Sequence, residues 1–221
     1  SDIPFEKLDC PEHRSLNLKA ARESLVLLEN KENFLPLKPS EVKSIAVVGP
    51  NCMSVTALEG NYNGRASEYI TVADGIRRIF SESTVNVAEG SQLWYEKKND
   101  WSGFANLHST AVAAAKASDL TVLCLGLDST MEGEEGSAAS EYSDKGDKHT
   151  LFLPETQQKL TEKICEVSEN VIAVIIAGSA IDPGEALRKH AKAIIHAWYP
   201  GAVGGLAVAE LIAGVFSPSG K

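Results

Sequence analysis

Short, mostly apolar runs alternate with stretches of helical periodicity along most of the chain. Each run is four to six residues long, rich in Val and Ile, and apolar at successive positions rather than at every second one. This pattern is typical of strands that are buried on both faces of a parallel sheet. The predicted strands are Ser44–Val48, Val85–Ala88, Thr121–Leu125, Val171–Ile176 and Ala193–Ala197.

Between these strands the apolar residues recur at steps of three and four, which predicts helices that bury one face. The first such helix is predicted over Pro11–Asn30, with Leu18, Ala21, Leu25 and Leu28 on one stripe. The later predicted helices are Val72–Phe80, Leu107–Ala117, Glu155–Val167 and Leu206–Ala213.

Strands that alternate with helices are connected by right-handed crossovers, which place the helices on the two faces of a parallel sheet. We therefore expect a three-layer α/β sandwich with a mostly parallel, roughly six-stranded sheet and helices on both faces. The 221 residues suffice for one core, so residues 1–221 are expected to form one domain. Ligands of such sheets bind beyond the carboxyl ends of the strands.

Composition excludes several classes of partner. The 30 acidic and 21 basic residues give a net charge of −9, which repels nucleic acid and anionic membranes. No apolar run approaches the ~18 residues of a membrane span, and no signal peptide is visible, which favours the cytoplasm over export. The four cysteines are widely spaced, which predicts free or buried thiols rather than a zinc site.

The sequence lacks the motifs of several other catalytic classes. Gly49-Pro50-Asn51 follows the first predicted strand but does not match the glycine fingerprint of dinucleotide-binding proteins. There is no nucleophile elbow and no phosphate loop, and no two histidines stand at the spacing of a helical zinc site. No cofactor and no metal are expected.

The connection after Thr121–Leu125 is far longer than the ~4–6 residues usual in compact domains. This acidic loop, residues 126–150, contains Glu132, Glu134, Glu135 and Glu141. Crowded carboxylates disfavour one another's ionisation, and a glycosidase needs one carboxyl that keeps its proton near neutral pH. A solvated surface loop accounts for the same composition.

Two further segments follow predicted strands. In residues 60–64, Asn61 and Tyr62 are bracketed by glycines; this loop could stack on a sugar and bind its hydroxyls, or form a turn with a packed tyrosine. Residues 197–205 contain three glycines, which favour close packing of a helix on the sheet.

An ordered series of segments resembles the C-terminal α/β-sandwich domain of glycoside hydrolase family 3, a group of β-glucosidases and β-xylosidases. The resemblance extends over nearly the whole chain. It rests on residues 20–30, 35–37, 44–51, 60–62, 146–148, 153–157, 197–205 and 218–221.

The resemblance implies an exo-acting, retaining β-glycosidase that hydrolyses terminal β-linked sugars. An aspartate on a preceding (β/α)₈ barrel, absent from this chain, would be the nucleophile, and a glutamate of the acidic loop would protonate the leaving oxygen. Glu134 is the first candidate, followed by Glu132 and Glu135, with Glu141 in an insertion at residues 137–145.

Asn61 and Tyr62 lie in one of the resembling segments and are the candidate substrate-binding residues. Lys148 stands where many relatives have arginine, and lysine cannot make the two-pronged contact of a guanidinium. The expected partners are the barrel and a β-linked glycoside, and the chain alone is expected to be inactive. The alternative is a stand-alone carbohydrate-binding module, which would bind sugar without the barrel. A nucleotide-dependent oxidoreductase is disfavoured because the glycine fingerprint is missing.

Overall fold

A computed structural model describes residues 3–95, 107–133, 143–144 and 147–220. The strands are β1 (Val26–Asn30), β2 (Ser44–Val48), β3 (Thr84–Ala88), β4 (Leu120–Gly126), β5 (Ser143–Asp144), β6 (Asp147–Lys148), β7 (Val171–Ile176) and β8 (Ala193–His196). The α-helices are α1 (Pro11–Ser24), α2 (Val72–Ile79), α3 (Leu107–Lys116), α4 (Glu155–Val167), α5 (Gly184–His190) and α6 (Gly204–Ile212).

Within the described residues the main sheet has six strands in the order β1-β8-β7-β4-β2-β3. Its neighbouring strands are parallel except β1, which runs antiparallel to β8. The short strands β5 and β6 pair with each other in the acidic loop. Helices cover both faces of the sheet, so the predicted three-layer sandwich is confirmed.

Successive strand residues point to opposite faces, which gives the domain two apolar layers. Val47 belongs to the apolar layer that contains residues of α1, α2 and α6, whereas Val48 belongs to the layer that contains residues of α3, α4 and α5. Both side chains are fully buried. The scarcity of polar residues in the central strands follows from this double burial.

The prediction of one helix over Pro11–Asn30 was wrong. The helix α1 ends at Ser24, and Val26–Asn30 forms the edge strand β1. Leu25 is buried but Leu28 is exposed, so the two do not share one stripe. The open edge of β8 supplies backbone hydrogen-bond partners to this segment, and a periodicity of side chains carries no signal for such pairing.

The helix α6 packs closely on α1 and α2, an interface called here the helical seam. A β-carbon on Gly205 would lie 2.0 Å from the backbone oxygen of Thr71, which caps α2. The glycines of residues 197–205 were predicted to pack a helix on the sheet, but Gly205 meets α2 instead. In the same interface Arg22 of α1 donates two hydrogen bonds to Glu210 of α6.

All four cysteines are buried and free, as predicted. Burial raises the pKa of the Cys52 thiol to about 12 and that of Cys165 to about 11. None of the helices in the described residues is both long enough and apolar enough to span a membrane.

Candidate functional site

The acidic loop leaves the sheet at the carboxyl end of β4, beside the ends of β7 and β8. A tight turn at Asp128 sets its direction. The Asp128 side chain accepts hydrogen bonds from the amide and the hydroxyl of Thr130, at 2.8 and 2.5 Å. The Asp128 carbonyl accepts from the amides of Met131 and Glu132, at 3.0 and 3.1 Å. This turn brings Glu132 back over the neighbouring strand ends.

The carboxylate of Glu132 accepts three hydrogen bonds from the segments that follow β7 and β8. Its Oε2 accepts from the backbone amide of Gly178 at 2.7 Å and from the Tyr199 hydroxyl at 2.5 Å. Its Oε1 accepts from the hydroxyl of Ser179. Both oxygens of this side chain are therefore engaged by protein donors.

Lys148, at the far end of the acidic loop, contacts the same segment. Its Nζ donates to the Ser179 hydroxyl at 2.7 Å and also to the carbonyl oxygen of Ala180. Burial lowers the pKa of Lys148, and the nearby negative charge of Glu132 opposes that effect. The ammonium is thus partly removed from water and held against protein acceptors.

The loop that contains Asn61 and Tyr62 also contacts Glu132 and lies close to Tyr199. The side-chain amide of Asn61 donates to the carbonyl oxygen of Glu132 at 2.8 Å. A β-carbon on Gly60 would lie 3.3 Å from the Tyr199 ring, so this loop runs close to the ring. Tyr62 has a φ of +62° and is 86% exposed, which turns its ring toward solvent.

Three aromatic rings, those of His196, Trp198 and Tyr199, lie at the end of β8 and directly after it. His196 is buried, and its ring meets the edge of Trp198 at a centroid distance of 4.3 Å. Burial lowers the pKa of His196, so the ring is neutral at physiological pH. Burial, followed by the hydrogen bond to Glu132, raises the pKa of Tyr199 well above its usual value. Tyr199 therefore keeps its proton and remains a donor to Glu132.

A cleft of about 410 Å³ opens beside this cluster, between the loops that follow β2, β3 and β4. Its wall includes Asn51, Glu89 and Asp128. The Asn51 side chain donates to the carbonyl oxygen of Leu127 at 3.1 Å, which joins the loops after β2 and β4. The cleft lies where the chain reverses its direction along the sheet, the position at which ligands bind sheets of this type.

The structure brings together some of the predicted site residues. Glu132 and Asn61 are in direct contact, with Tyr62 adjacent. Glu134, Glu135 and Glu141 lie outside the described residues, so their roles remain predictions.

The sequence had not assigned a role to Ser179 or Tyr199, although both follow predicted strands. The position of a residue directly after a buried parallel strand was the available signal. For Tyr199 the glycines of residues 197–205 led to a different interpretation, the close packing of a helix, and not a site residue.

Comparison with known proteins agrees with the geometry of the fold. The profile of the glycosyl hydrolase family 3 C-terminal domain matches residues 25–221. The chain belongs to this family. A curated relative in it, β-D-xylosidase 1 of Arabidopsis thaliana, is 36% identical over 218 residues, which cover 96% of this chain and 25% of the relative. A β-glucosidase of Bacteroides ovatus is 31% identical and covers 99% of this chain and 29% of the relative.

Among solved structures, a β-glucosidase from Erythrobacter marinus superposes with a TM-score of 0.80. It is 30% identical, and the match covers 98% of this chain and 31% of that protein. The chain thus spans about a quarter to a third of the length of these relatives.

Proposed function

We propose that this chain is the part of a retaining β-glycosidase that carries the general acid/base, acting on terminal β-linked glucose or xylose. A preceding (β/α)₈ barrel of the same polypeptide supplies the aspartate nucleophile and most of the sugar site. The family membership and the names of the relatives, which include β-xylosidases and β-glucosidases, support this assignment.

The observation that carries the proposal is the attachment of the acidic loop at Glu132. Three donors and the Asn61 amide hold this residue over the carboxyl ends of β7 and β8. Glu134 and Glu135 follow Glu132 by two and three positions in the sequence. A general acid must stand within hydrogen-bond reach of the leaving oxygen, so a fixed starting point is what its loop requires.

The contacts of Glu132 favour a supporting role for this residue and the proton-donor role for Glu134. A general acid needs an oxygen that is free to face the leaving group, and it must hold a proton when the substrate binds. Both oxygens of Glu132 already accept from protein groups. Glu134 therefore remains the first candidate, with Glu135 next and Glu141 after it.

In the proposed reaction, the barrel aspartate attacks the anomeric carbon while the glutamate of this chain protonates the departing oxygen. The same glutamate, now a carboxylate, then removes a proton from the water that hydrolyses the glycosyl-enzyme. Asn61 and Tyr62 contact the sugar. The negative charge of the domain does not oppose a neutral substrate.

The test uses the complete polypeptide and two kinds of β-glycoside. Glu134→Gln is expected to lower kcat/KM on an unactivated disaccharide by about 100-fold or more, because the leaving oxygen then departs without a proton. On a 2,4-dinitrophenyl glycoside, whose leaving group needs no proton, the loss should be much smaller. Comparison of β-xylosides with β-glucosides identifies the sugar.

The matched control is Glu162→Gln, which removes the same charge from the exposed face of α4. It should leave both substrates unaffected. A Glu134→Gln variant that turns over the disaccharide at the wild-type rate would exclude Glu134 as the acid. The same measurement on Glu135→Gln and Glu141→Gln then identifies the donor.

A further inference from the structure

One short segment after β7 holds both ends of the acidic loop. Near the start of the loop, Glu132 accepts from Gly178 and Ser179. Near its end, Lys148 donates to Ser179 and Ala180. The Ser179 hydroxyl gives its single proton to Glu132 and accepts from Lys148, so one side chain connects the two ends.

We propose that Glu132, Ser179 and Lys148 form a clamp that fixes the ends of the acidic loop and thereby positions the general acid it carries. The clamp rests on the proposed function, since it acts on the residue that donates the proton. Its three members are positioning residues: they act through the loop and not on the substrate.

The chemistry of the three side chains suits this role. A carboxylate and an ammonium that share one hydroxyl attract each other, and hydrogen bonds to charged groups are stronger than those between neutral groups. Two of the three N–H donors of Lys148 are engaged by Ser179 and Ala180. The lysine is therefore committed to the protein rather than presented to a sugar, although it stands where many relatives have arginine.

The contacts also explain why a small hydroxyl residue stands at position 179. Its Oγ accepts from Lys148 and donates to Glu132, the two residues that flank positions 133–147 in the sequence. A displacement of about 1 Å at a reacting group can cost on the order of 100-fold in rate, so the loss of either attachment should be visible in the proton-transfer step.

The experiment measures the complete polypeptide carrying Ser179→Ala, Lys148→Met or Lys148→Arg. Ser179→Ala and Lys148→Met should lower kcat/KM about tenfold more on an unactivated disaccharide than on a 2,4-dinitrophenyl glycoside, because only the former needs the acid. Lys148→Arg keeps the charge and the donors, so it should restore the disaccharide rate to within about threefold of wild type.

The control is Ser168→Ala, which removes another hydroxyl next to β7, at the opposite end of the strand. That hydroxyl bonds to Thr121 at 2.9 Å, away from the acidic loop. Its loss should change both substrates equally. Thermal unfolding of each variant checks that the fold persists, and Ser179→Ala, the smallest change, serves if Lys148→Met does not fold.

Equal losses on the two substrates for Ser179→Ala, or no rescue by Lys148→Arg, would overturn the clamp. That outcome differs from failure of the proposed function, in which the wild-type polypeptide does not hydrolyse β-glycosides or Glu134→Gln, Glu135→Gln and Glu141→Gln all leave the disaccharide rate unchanged. If the acid is confirmed and the clamp variants behave like Ser168→Ala, only the clamp is wrong.

Discussion

Two carboxylates, Glu210 and Glu132, are each held by more than one donor, but they lie in regions of opposite character. Glu210 belongs to the helical seam, is only 7% exposed, and binds the Arg22 guanidinium with both oxygens at 2.6 and 2.7 Å. Glu132 belongs to the loop edge of the sheet. Its donors come from segments that follow two strands, and Ser179 among them is partly exposed.

The difference predicts which property each region controls: the free energy of unfolding at the helical seam and the activity at the loop edge. At the helical seam the helices are in close contact. An added atom there meets backbone atoms that cannot move aside, and the loss of one charged side chain leaves a buried charge without a partner. At the loop edge, water can replace a lost hydrogen bond, so the free energy of unfolding should change little. The position of the loop, and with it the activity, should change more.

The largest effect on stability is expected from Gly205→Ala. The added β-carbon would lie 2.0 Å from the oxygen and 2.1 Å from the carbon of the Thr71 carbonyl, both backbone atoms of the α2 cap. Because neither can move without displacing α2, the free energy of unfolding should fall by more than about 3 kcal/mol. Urea unfolding measures this change.

Gly64→Ala is the matched control, because a β-carbon at that exposed position meets no atom within 4 Å. It should change the free energy of unfolding by less than about 0.5 kcal/mol. Equal effects of the two substitutions would show that the helices at the seam can separate at little cost.

Most of the fold could be predicted because the central strands are apolar on both faces. The bounds of β2 and β7 were predicted to the residue, and those of the other parallel strands to within one residue. The short helix α5 was not predicted, since a polar segment that buries only Leu187 carries almost no periodicity. The strand β1 depends on a partner at the other end of the chain, which no local pattern reports.

The second effect is expected from Arg22→Met, which leaves Glu210 buried without its counter-charge. Removal of one partner from a buried ion pair usually lowers the free energy of unfolding by about 3–5 kcal/mol. Because the Arg22 side chain is about one-third exposed, we expect a loss at the lower end of that range, about 3 kcal/mol. The control in the same helix is Lys19→Met. Its ion pair with Glu23 is exposed on both sides, so the loss should be below about 0.5 kcal/mol.

A small loss in Arg22→Met, comparable to that in Lys19→Met, would mean that water reaches Glu210 and that the seam resembles the loop edge. Substitution of the other partner of the ion pair gives a second comparison. Glu210→Gln leaves Arg22 able to turn toward solvent, so it should cost less than Arg22→Met.

The candidate site was predictable only in part, for reasons of sequence distance. The cluster of glutamates is local, so composition and loop length could indicate it. The donors to Glu132, however, lie 46 residues away at Gly178 and 67 residues away at Tyr199. Only the rule that ligand-binding loops follow parallel strands connects such segments before the fold is known. That rule identifies the edge of the sheet at which the site lies, but not which side chains form hydrogen bonds with one another there.

The smallest effect on stability is expected at the loop edge, from Tyr199→Phe. This change removes one of the three donors to Glu132 and should cost about 1 kcal/mol near pH 8, where the other two remain. The raised pKa of Tyr199 adds a test by pH. Above about pH 10 the unfolded chain loses this proton while the folded chain keeps it, so the contribution of Tyr199 to stability falls as the pH rises.

The advantage of wild type over Tyr199→Phe should therefore shrink between about pH 8 and pH 11. The buried thiols of Cys52 and Cys165, whose pKa values are also raised, weaken both proteins alike in alkali and cancel in the difference. Urea unfolding at several pH values measures that difference directly. A constant difference would show that the fold does not hold the phenolic proton, and the Glu132 carboxylate would then be held by Gly178 and Ser179 alone.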